Sequence, residues 1–166
     1  MLKASQELNI PVFASTQLRD KLGPTAEELG LDSPDGVKTQ ANADKSAFSM
    51  WIPEIQKALK DLGGEKREVV IVGIESHICV TQTTLDLLRE GHKVYVLADG
   101  VSSCNPQEVP IALNRLRAEG AIVTTSESFL YECMGDAGIK EFKGIAGVVR
   151  DYSKNTKENL QALCKF

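Results

Sequence analysis

The sequence predicts an α/β fold of three layers, in which helices cover both faces of a mainly parallel sheet. Short stretches that are apolar throughout, such as residues 69–72 and 93–98, alternate with segments of helical periodicity. Glycines at positions 73, 91 and 120 separate several of these segments. Strands that are apolar on both faces are typical of parallel sheets, because crossover helices shield each face from water.

Hydrophobic periodicity and breaker residues place the elements in order. The predicted strands are residues 10–14, 37–40, 69–72, 93–98 and 121–125. The predicted helices are residues 1–8, 53–62, 79–89, a helix that starts at 105–106, and segments near 129–133, 139–149 and 154–164. Pro11 stands at a strand start, where a missing N–H is tolerated, and Pro53 suits the first turn of its helix. Residues 16–36 are rich in glycine, proline and charge, which predicts a loop.

Composition limits the classes of function. The chain has 166 residues with 42% hydrophobic and 25% charged content, which is typical of one soluble globular domain. The net charge is −4, and the sequence has no basic block that would suggest nucleic-acid binding. The apolar runs are too short to cross a membrane. Four widely spaced cysteines predict reduced thiols in a reducing compartment, without a metal.

Cys79 is the most informative residue of the chain. It follows an apolar strand, Gly73 and a short polar turn, at the start of a predicted helix. Unpaired N–H groups at a helix N-terminus favour a thiolate and can bind an oxyanion. Other hydrolases use the same order of strand, turn, nucleophile and helix. The alternative is a buried cysteine that packs as a small hydrophobic residue.

Further candidates follow from the position of ligands in parallel sheets, beyond the carboxyl ends of the strands. This rule selects Thr16 and Gln17, residues 73–79, and residues 99–104. Lys45 is an additional candidate because Ser46 and apolar residues flank it, although most such lysines are ordinary surface residues. Cys104 is expected to be a partly buried thiol.

These residues carry a resemblance to a known family. The chain resembles the isochorismatase-like cysteine hydrolases, in particular the isochorismatase domain-containing proteins of animals and their protozoan relatives. The similarity extends over essentially the whole chain, and we expect a single domain over residues 1–166 with a Rossmann-like fold. The segments that carry it are residues 10–17 with 22–25, 45–50, 72–79 and 124–128.

The resemblance implies an Asp-Lys-Cys triad. Cys79 would be the nucleophile, and Lys45 would hold its thiolate in the charged form. The backbone N–H groups of Glu75 and Cys79 would form the oxyanion hole, with a cis peptide bond before Glu75. A small amide or related substrate would form a covalent intermediate that water releases, with no cofactor. The candidates for the substrate pocket are Gln17, Phe48 and Ser76.

The aspartate of this triad has no counterpart in the chain. It normally ends the family's first strand, and the sequence resembles the family only after that point. Asp20, Asp44 and Asp99 are the nearest candidates, but none lies in a matching motif. We expect the chain to be N-terminally truncated relative to the family. It would be a fragment, a product of an internal start, or a chain with a rearranged sheet.

The histidines depart from the metal-binding members of the family. The nicotinamidase-type cluster after the second strand is missing, and neither His77 nor His92 has a partner at a metal-ligand spacing. No metal site is therefore expected. His77 lies two residues before Cys79, which suggests a Cys–His pair. The alternative is a turn residue whose ring bonds to backbone or solvent.

Two functional hypotheses remain. The first is a cysteine hydrolase that acts on a small-molecule substrate. The second is a catalytically inactive isoform or fragment that acts through protein contacts, because the triad aspartate is missing. In either case the family implies a homo-oligomer. We expect a cytoplasmic location, or a mitochondrial one if a targeting segment is missing.

Overall fold

The computed structural model describes residues 1–164, and its alternating strands and helices confirm the α/β fold. The strands are β1 (Val12–Gln17), β2 (Thr39–Lys45), β3 (Glu68–Ile74), β4 (Lys93–Ser102) and β5 (Ile122–Thr124). The helices are α1 (Leu2–Glu7), α2 (Arg19–Leu22), α3 (Pro53–Asp61), α4 (Thr81–Arg89), α5 (Glu108–Ala118), α6 (Ser126–Met134), α7 (Phe142–Asp151) and α8 (Ser153–Leu163). No helix in this part of the chain is long and apolar enough to span a membrane.

The centre of the fold is β4, whose side chains alternate between two cores. Val94 and Val96 pack with apolar residues of α4 and α5. Tyr95 and Leu97 point the other way and pack with residues of α1, α6 and α7. All four side chains are almost completely buried. The period of two along the strand therefore fills a helical layer on each face, as the apolar run predicts.

The strands form two parallel sheets, whereas the sequence suggests one. β1 pairs with β2, and β3, β4 and β5 form the second sheet in that order. β1 and β3 thus each have one edge without a strand partner among residues 1–164. The expectation of complete burial is wrong for β3, where Val72 is 47% and Ile74 is 67% exposed. Pairing on a single edge leaves this end of the strand without cover.

The first half of the chain differs most from the predicted elements. β2 begins at Thr39 and continues to Lys45, beyond the predicted 37–40. Its sequence, TQANADK, has little strand propensity, so its parallel pairing with β1 decides the conformation. The predicted loop at 16–36 includes the end of β1, the short helix α2 and a 3₁₀ turn at Glu27–Leu29.

The pairing of β3 with β4 is irregular beside Asp99 and Gly100 of β4. Between Ile71 and Gly73 the β3 strand advances two residues, while β4 advances five from Val96 to Val101. The additional residues include Asp99, which is buried and accepts a hydrogen bond from the Ser126 N–H at 2.7 Å. This bond attaches β4 to the start of α6.

Gly100 in this irregular segment has no space for a side chain. A Cβ atom there would lie 2.9 Å from Val72 Cγ1 and 3.3 Å from Leu97 Cβ. We therefore expect Gly100→Ala to lower the free energy of unfolding by about 1–3 kcal/mol in urea denaturation. Gly147→Ala is the control, because a Cβ at Gly147 in α7 meets nothing within 4 Å. That change should leave stability equal or higher, because alanine favours a helix.

A double-mutant cycle identifies the contact responsible. In the Val72→Ala background the γ-methyl is gone, so Gly100→Ala should cost less than in the natural chain. An equal cost in both backgrounds would show that Val72 is not the obstacle.

Candidate active site

Lys45 and Cys79 meet at the carboxyl ends of the two sheets. Lys45 is the last residue of β2, and Cys79 lies in the turn that follows β3. Lys45 Nζ is 4.0 Å from Cys79 Sγ. The fold thus brings together the two side chains that the sequence singles out, although 34 positions separate them.

The Lys45 ammonium is buried and fully engaged by neutral acceptors. The side chain is 7% exposed. Its Nζ donates to Gln17 Oε1 at 2.6 Å, to the Ala47 carbonyl at 3.0 Å and to the Phe48 carbonyl at 2.9 Å. Burial lowers the pKa of Lys45, and the nearby Cys79 and Asp44 oppose this shift without cancelling it. The ammonium therefore loses its proton more readily than an exposed lysine does.

Cys79 lies in a π-helical turn, Ser76–Val80, that precedes α4. The Val80 N–H donates to the Glu75 carbonyl at 3.1 Å, which closes the wide turn. The expectation that Cys79 opens the helix is wrong, because α4 begins at Thr81. Cys79 is half-buried, and the Ile74–Glu75 peptide bond before the turn is cis.

The three residues predicted to line a substrate pocket have different positions. Gln17 binds Lys45 and also donates from Nε2 to the Ser46 carbonyl at 2.7 Å, so it positions the lysine loop. The Phe48 side chain is 51% exposed beside this loop. Ser76 is fully buried, and its hydroxyl donates to the Ser102 carbonyl at 2.9 Å. Ser76 is therefore a structural residue, and its place among the pocket candidates is wrong.

The aspartates considered as triad members bind other groups. Asp44 accepts hydrogen bonds from Thr16 Oγ1 at 2.8 Å and from the Arg19 N–H at 3.0 Å, and the Thr16 bond is the main cause that lowers its pKa. Asp99 binds Ser126, and Asp20 lies exposed in α2. Within residues 1–164, Lys45 forms no ion pair with a carboxylate.

Thr83 is a positioning residue that the sequence analysis missed. Its buried Oγ1 accepts a hydrogen bond from the Met50 N–H at 2.8 Å. The bond attaches the loop after Lys45 to α4, one turn beyond Cys79. A threonine on a helix face has many uses, so no sequence signal distinguishes this one.

A second polar cluster lies beside the Cys79 turn. Glu75, His77 and Cys104 each place a possible metal-ligand atom within 4.8 Å of the others. The expectation that Cys104 is partly buried is wrong, because this residue is exposed. His77 has no partner at a metal-ligand spacing along the chain, but two side chains that could bind a metal lie near it in the fold. The spacing along the chain does not reveal the cluster, because Cys104 follows a different strand. The His77 ring bonds to Ser103 Oγ through Nδ1 at 3.0 Å.

Comparisons with known proteins agree with this fold. The family model described as "Isochorismatase domain" matches residues 1–128. The secreted isochorismatase effector Isc1 of Phytophthora sojae is 38% identical over 154 residues, which cover 93% of this chain and 73% of the relative. The human isochorismatase domain-containing protein 2 is 38% identical over 151 residues, with coverages of 91% and 70%.

Two solved structures have a similar fold. The MAR1 ribonuclease of Caenorhabditis elegans superimposes with a TM-score of 0.79 at 34% identity, covering 89% of this chain and 73% of that one. The YcaC protein of Escherichia coli, described as an octameric hydrolase of unknown specificity, has a TM-score of 0.79 at 22% identity, with coverages of 96% and 76%. The latter shows that the fold is shared.

The buried lysine predicts a specific dependence of stability on pH. Below the lowered pKa of folded Lys45, the cost of its buried charge is constant. As pH rises from there toward the unfolded value of 10.5, the unfolded chain keeps a proton that the folded chain releases, so stability increases. We expect Cys79→Ser to gain unfolding free energy over this range relative to Cys79→Ser/Lys45→Met.

Urea unfolding of the two variants from about pH 7 to pH 10 measures this difference. Both variants lack the thiol, so its titration does not contribute. A difference that is flat, or that falls as pH rises, would contradict the burial of a charged Lys45.

Proposed function

The chain belongs to the isochorismatase family, and we propose that this family hydrolase uses Cys79 as a nucleophile with Lys45 as the adjoining acid and base. The separation of 4.0 Å between Lys45 Nζ and Cys79 Sγ is the observation that carries the proposal. An ammonium at this distance stabilises a thiolate, and the thiolate is the nucleophilic form of cysteine. A purely structural cysteine needs no cation beside it.

The proposed substrate is a small amide or a related compound. The thiolate attacks the carbonyl carbon, and in this proposal the Glu75 and Cys79 N–H groups donate hydrogen bonds to the oxyanion that forms. The C–N bond breaks as the Lys45 ammonium protonates the leaving amine, which leaves a thioester on Cys79. The neutral Lys45 amine then takes a proton from water, and the hydroxide releases the acid and the thiolate.

The lowered pKa of Lys45 supports this role. A proton carrier is most effective when its pKa approaches the working pH, because it must both give and take the proton. Burial moves Lys45 in that direction. No carboxylate among the described residues pairs with Lys45, so in this proposal the lysine, 4.0 Å from Cys79 Sγ, transfers the proton itself.

A second candidate function is a catalytically inactive member of the family that acts through protein contacts. The surroundings of Lys45 favour it, because no carboxylate of residues 1–164 pairs with the lysine. The open edge of β3 and its exposed Val72 and Ile74 also offer a surface that another chain can cover. Association into a homo-oligomer and a cytoplasmic location stay predictions in both cases.

Thiol alkylation distinguishes the two functions before any substrate is known. We expect Cys79 to react with iodoacetamide faster at neutral pH than Cys133 and Cys164, as measured by peptide mass spectrometry. Partial loss of solvent around the sulfur raises the pKa of both reference thiols, with Glu132 adding to the shift at Cys133 and Asp99 at Cys164. Lys45→Met should slow the alkylation of Cys79 about tenfold, because the thiolate loses the cation beside it.

Lys57→Met is the matched control, because Lys57 is an exposed lysine of α3 that pairs with Asp61. It should leave the rate at Cys79 unchanged. If Lys45→Met also leaves this rate unchanged, the lysine does not activate the thiol and the inactive candidate is favoured.

Turnover gives the direct test. We expect the chain to hydrolyse at least one member of a panel of small amides, and to add the mass of the acyl group to Cys79 in quenched reactions. Cys79→Ser should reduce the rate at least a hundredfold, because an alcohol is a far weaker nucleophile at neutral pH. Cys133→Ser should retain the activity. Activity that survives in Cys79→Ser would overturn the proposed nucleophile.

RNA belongs in the same panel, because the similar structure from Caenorhabditis elegans is described as a ribonuclease. The net charge of −4 argues against RNA as the substrate, since phosphate binding depends on lysine and arginine.

A further inference from the structure

We propose that Glu75, His77 and Cys104 form a Zn²⁺ site at the carboxyl edge of the larger sheet. Glu75 follows β3 directly, and His77 lies two residues later. Cys104 lies two residues after the end of the neighbouring β4. One ligand atom from each side chain lies within 4.8 Å of the other two. The site is separate from Lys45 and Cys79, neither of which contributes a ligand.

The three donors suit zinc better than other common ions. A thiolate, an imidazole nitrogen and a carboxylate oxygen are the three ligand types found in protein zinc sites. Mg²⁺ and Ca²⁺ prefer oxygen donors alone. The thiolate and the carboxylate together carry two negative charges, so they neutralise Zn²⁺ without help from neighbouring residues.

The spacing of the donors is close to that of a tetrahedral site. Bonds of about 2.0–2.3 Å to zinc place neighbouring ligands roughly 3.2–3.8 Å apart. The ligand atoms lie within 4.8 Å of one another. Side-chain rotations that shift these atoms by about an ångström would bring them to tetrahedral spacing, without movement of the strands. Cys104 is exposed, which gives the ion a route of entry and leaves the fourth position to water.

Hydrogen bonds hold the two loops together before any metal arrives. Glu75 Oε2 accepts the Cys104 N–H at 2.6 Å. A carboxylate has further lone pairs, so this bond does not prevent it from binding a metal. Ser103 Oγ accepts the Ser76 N–H at 3.1 Å and lies 3.0 Å from His77 Nδ1. Such contacts around the ligands fix their orientation and strengthen metal binding.

The location gives the ion a consequence for the neighbouring site. Glu75 and His77 lie in the same short segment that carries Cys79, and Glu75 accepts the hydrogen bond that closes the π-helical turn. Zinc bound to Glu75 and His77 would attach the beginning of this segment to the loop after β4. Metal occupancy and the conformation of the Cys79 turn are therefore linked.

The test is a titration of the metal-free full chain with Zn²⁺ alone, against a chromophoric chelator and under a non-thiol reductant. We expect one equivalent to bind. Cys104→Ser, His77→Ala and Glu75→Gln should each weaken binding by at least about 10–100-fold, the range typical of losing an outer-shell partner, because each removes a direct ligand. Co²⁺ in place of Zn²⁺ should show a thiolate charge-transfer band that Cys104→Ser removes.

Two cysteine variants are matched controls. Cys133→Ser removes another exposed thiol, and Cys79→Ser removes the thiol beside Lys45. Both should bind Zn²⁺ like the natural chain. Metal-free thermal unfolding of every variant shows whether it is folded, and Zn²⁺ should raise the midpoint of the natural chain but not that of Cys104→Ser.

The proposal is overturned if Cys104→Ser and His77→Ala both bind Zn²⁺ as the natural chain does. It is equally overturned if Cys79→Ser removes the binding, because the metal would then sit at the thiol beside Lys45. A cobalt complex without a thiolate band would exclude Cys104 as a ligand. None of these outcomes depends on hydrolytic activity, so the zinc site and the proposed function can fail separately.

Discussion

The buried ammonium of Lys45 is the interaction on which the candidate site depends. A buried charge is costly unless polar groups replace the water that it loses. Here the replacements come from Gln17 at the end of β1 and from two carbonyls of the loop after β2. Gln17 and Lys45 are also paired in the register of the two parallel strands. The pairing of β1 with β2 therefore positions the cation, and the cation in turn orders the loop around it.

The same region joins the two sheets. No strand among the described residues pairs with both β1 and β3, so the sheets do not share backbone hydrogen bonds. Their carboxyl ends are connected instead by the contact of Lys45 with Cys79 and by the bond from Met50 to Thr83. The open edges still require hydrogen-bond partners, from water or from another strand. The geometry of the site thus depends on a few side-chain contacts where a continuous sheet would supply a ladder.

The sequence predicts the half of the fold in which local pattern and burial agree. β4 is apolar and buried from Val94 to Ala98, so the predicted strand is confirmed, although β4 continues to Ser102. α3 lies close to its predicted bounds. The predicted bounds of β2 are wrong because its polar sequence becomes a strand only by pairing with β1. The predicted burial of the end of β3 is wrong for a related reason. An apolar run indicates burial, but it does not indicate which neighbouring elements cover the strand.

The sequence likewise predicts only some of the residues of the candidate site. Cys79 and Lys45 can be proposed from the sequence because each lies near a strand end and within a motif of the family. Ser76 is misplaced because a turn sequence does not tell which side chains point inward. The cluster of Glu75, His77 and Cys104 cannot be predicted from the sequence, because its members follow two strands that become neighbours only in the folded sheet.

The partners of Lys45 also determine what kind of group it is. A carboxylate in contact would raise its pKa and make it a permanent charge, whose only effect on Cys79 would be electrostatic. With neutral acceptors around it, burial is the largest influence and lowers the pKa. A lysine in that state both attracts the thiolate and exchanges a proton. Any carboxylate placed beside Lys45, from this chain or another, would therefore take over the proton transfer and leave the lysine to hold the charge.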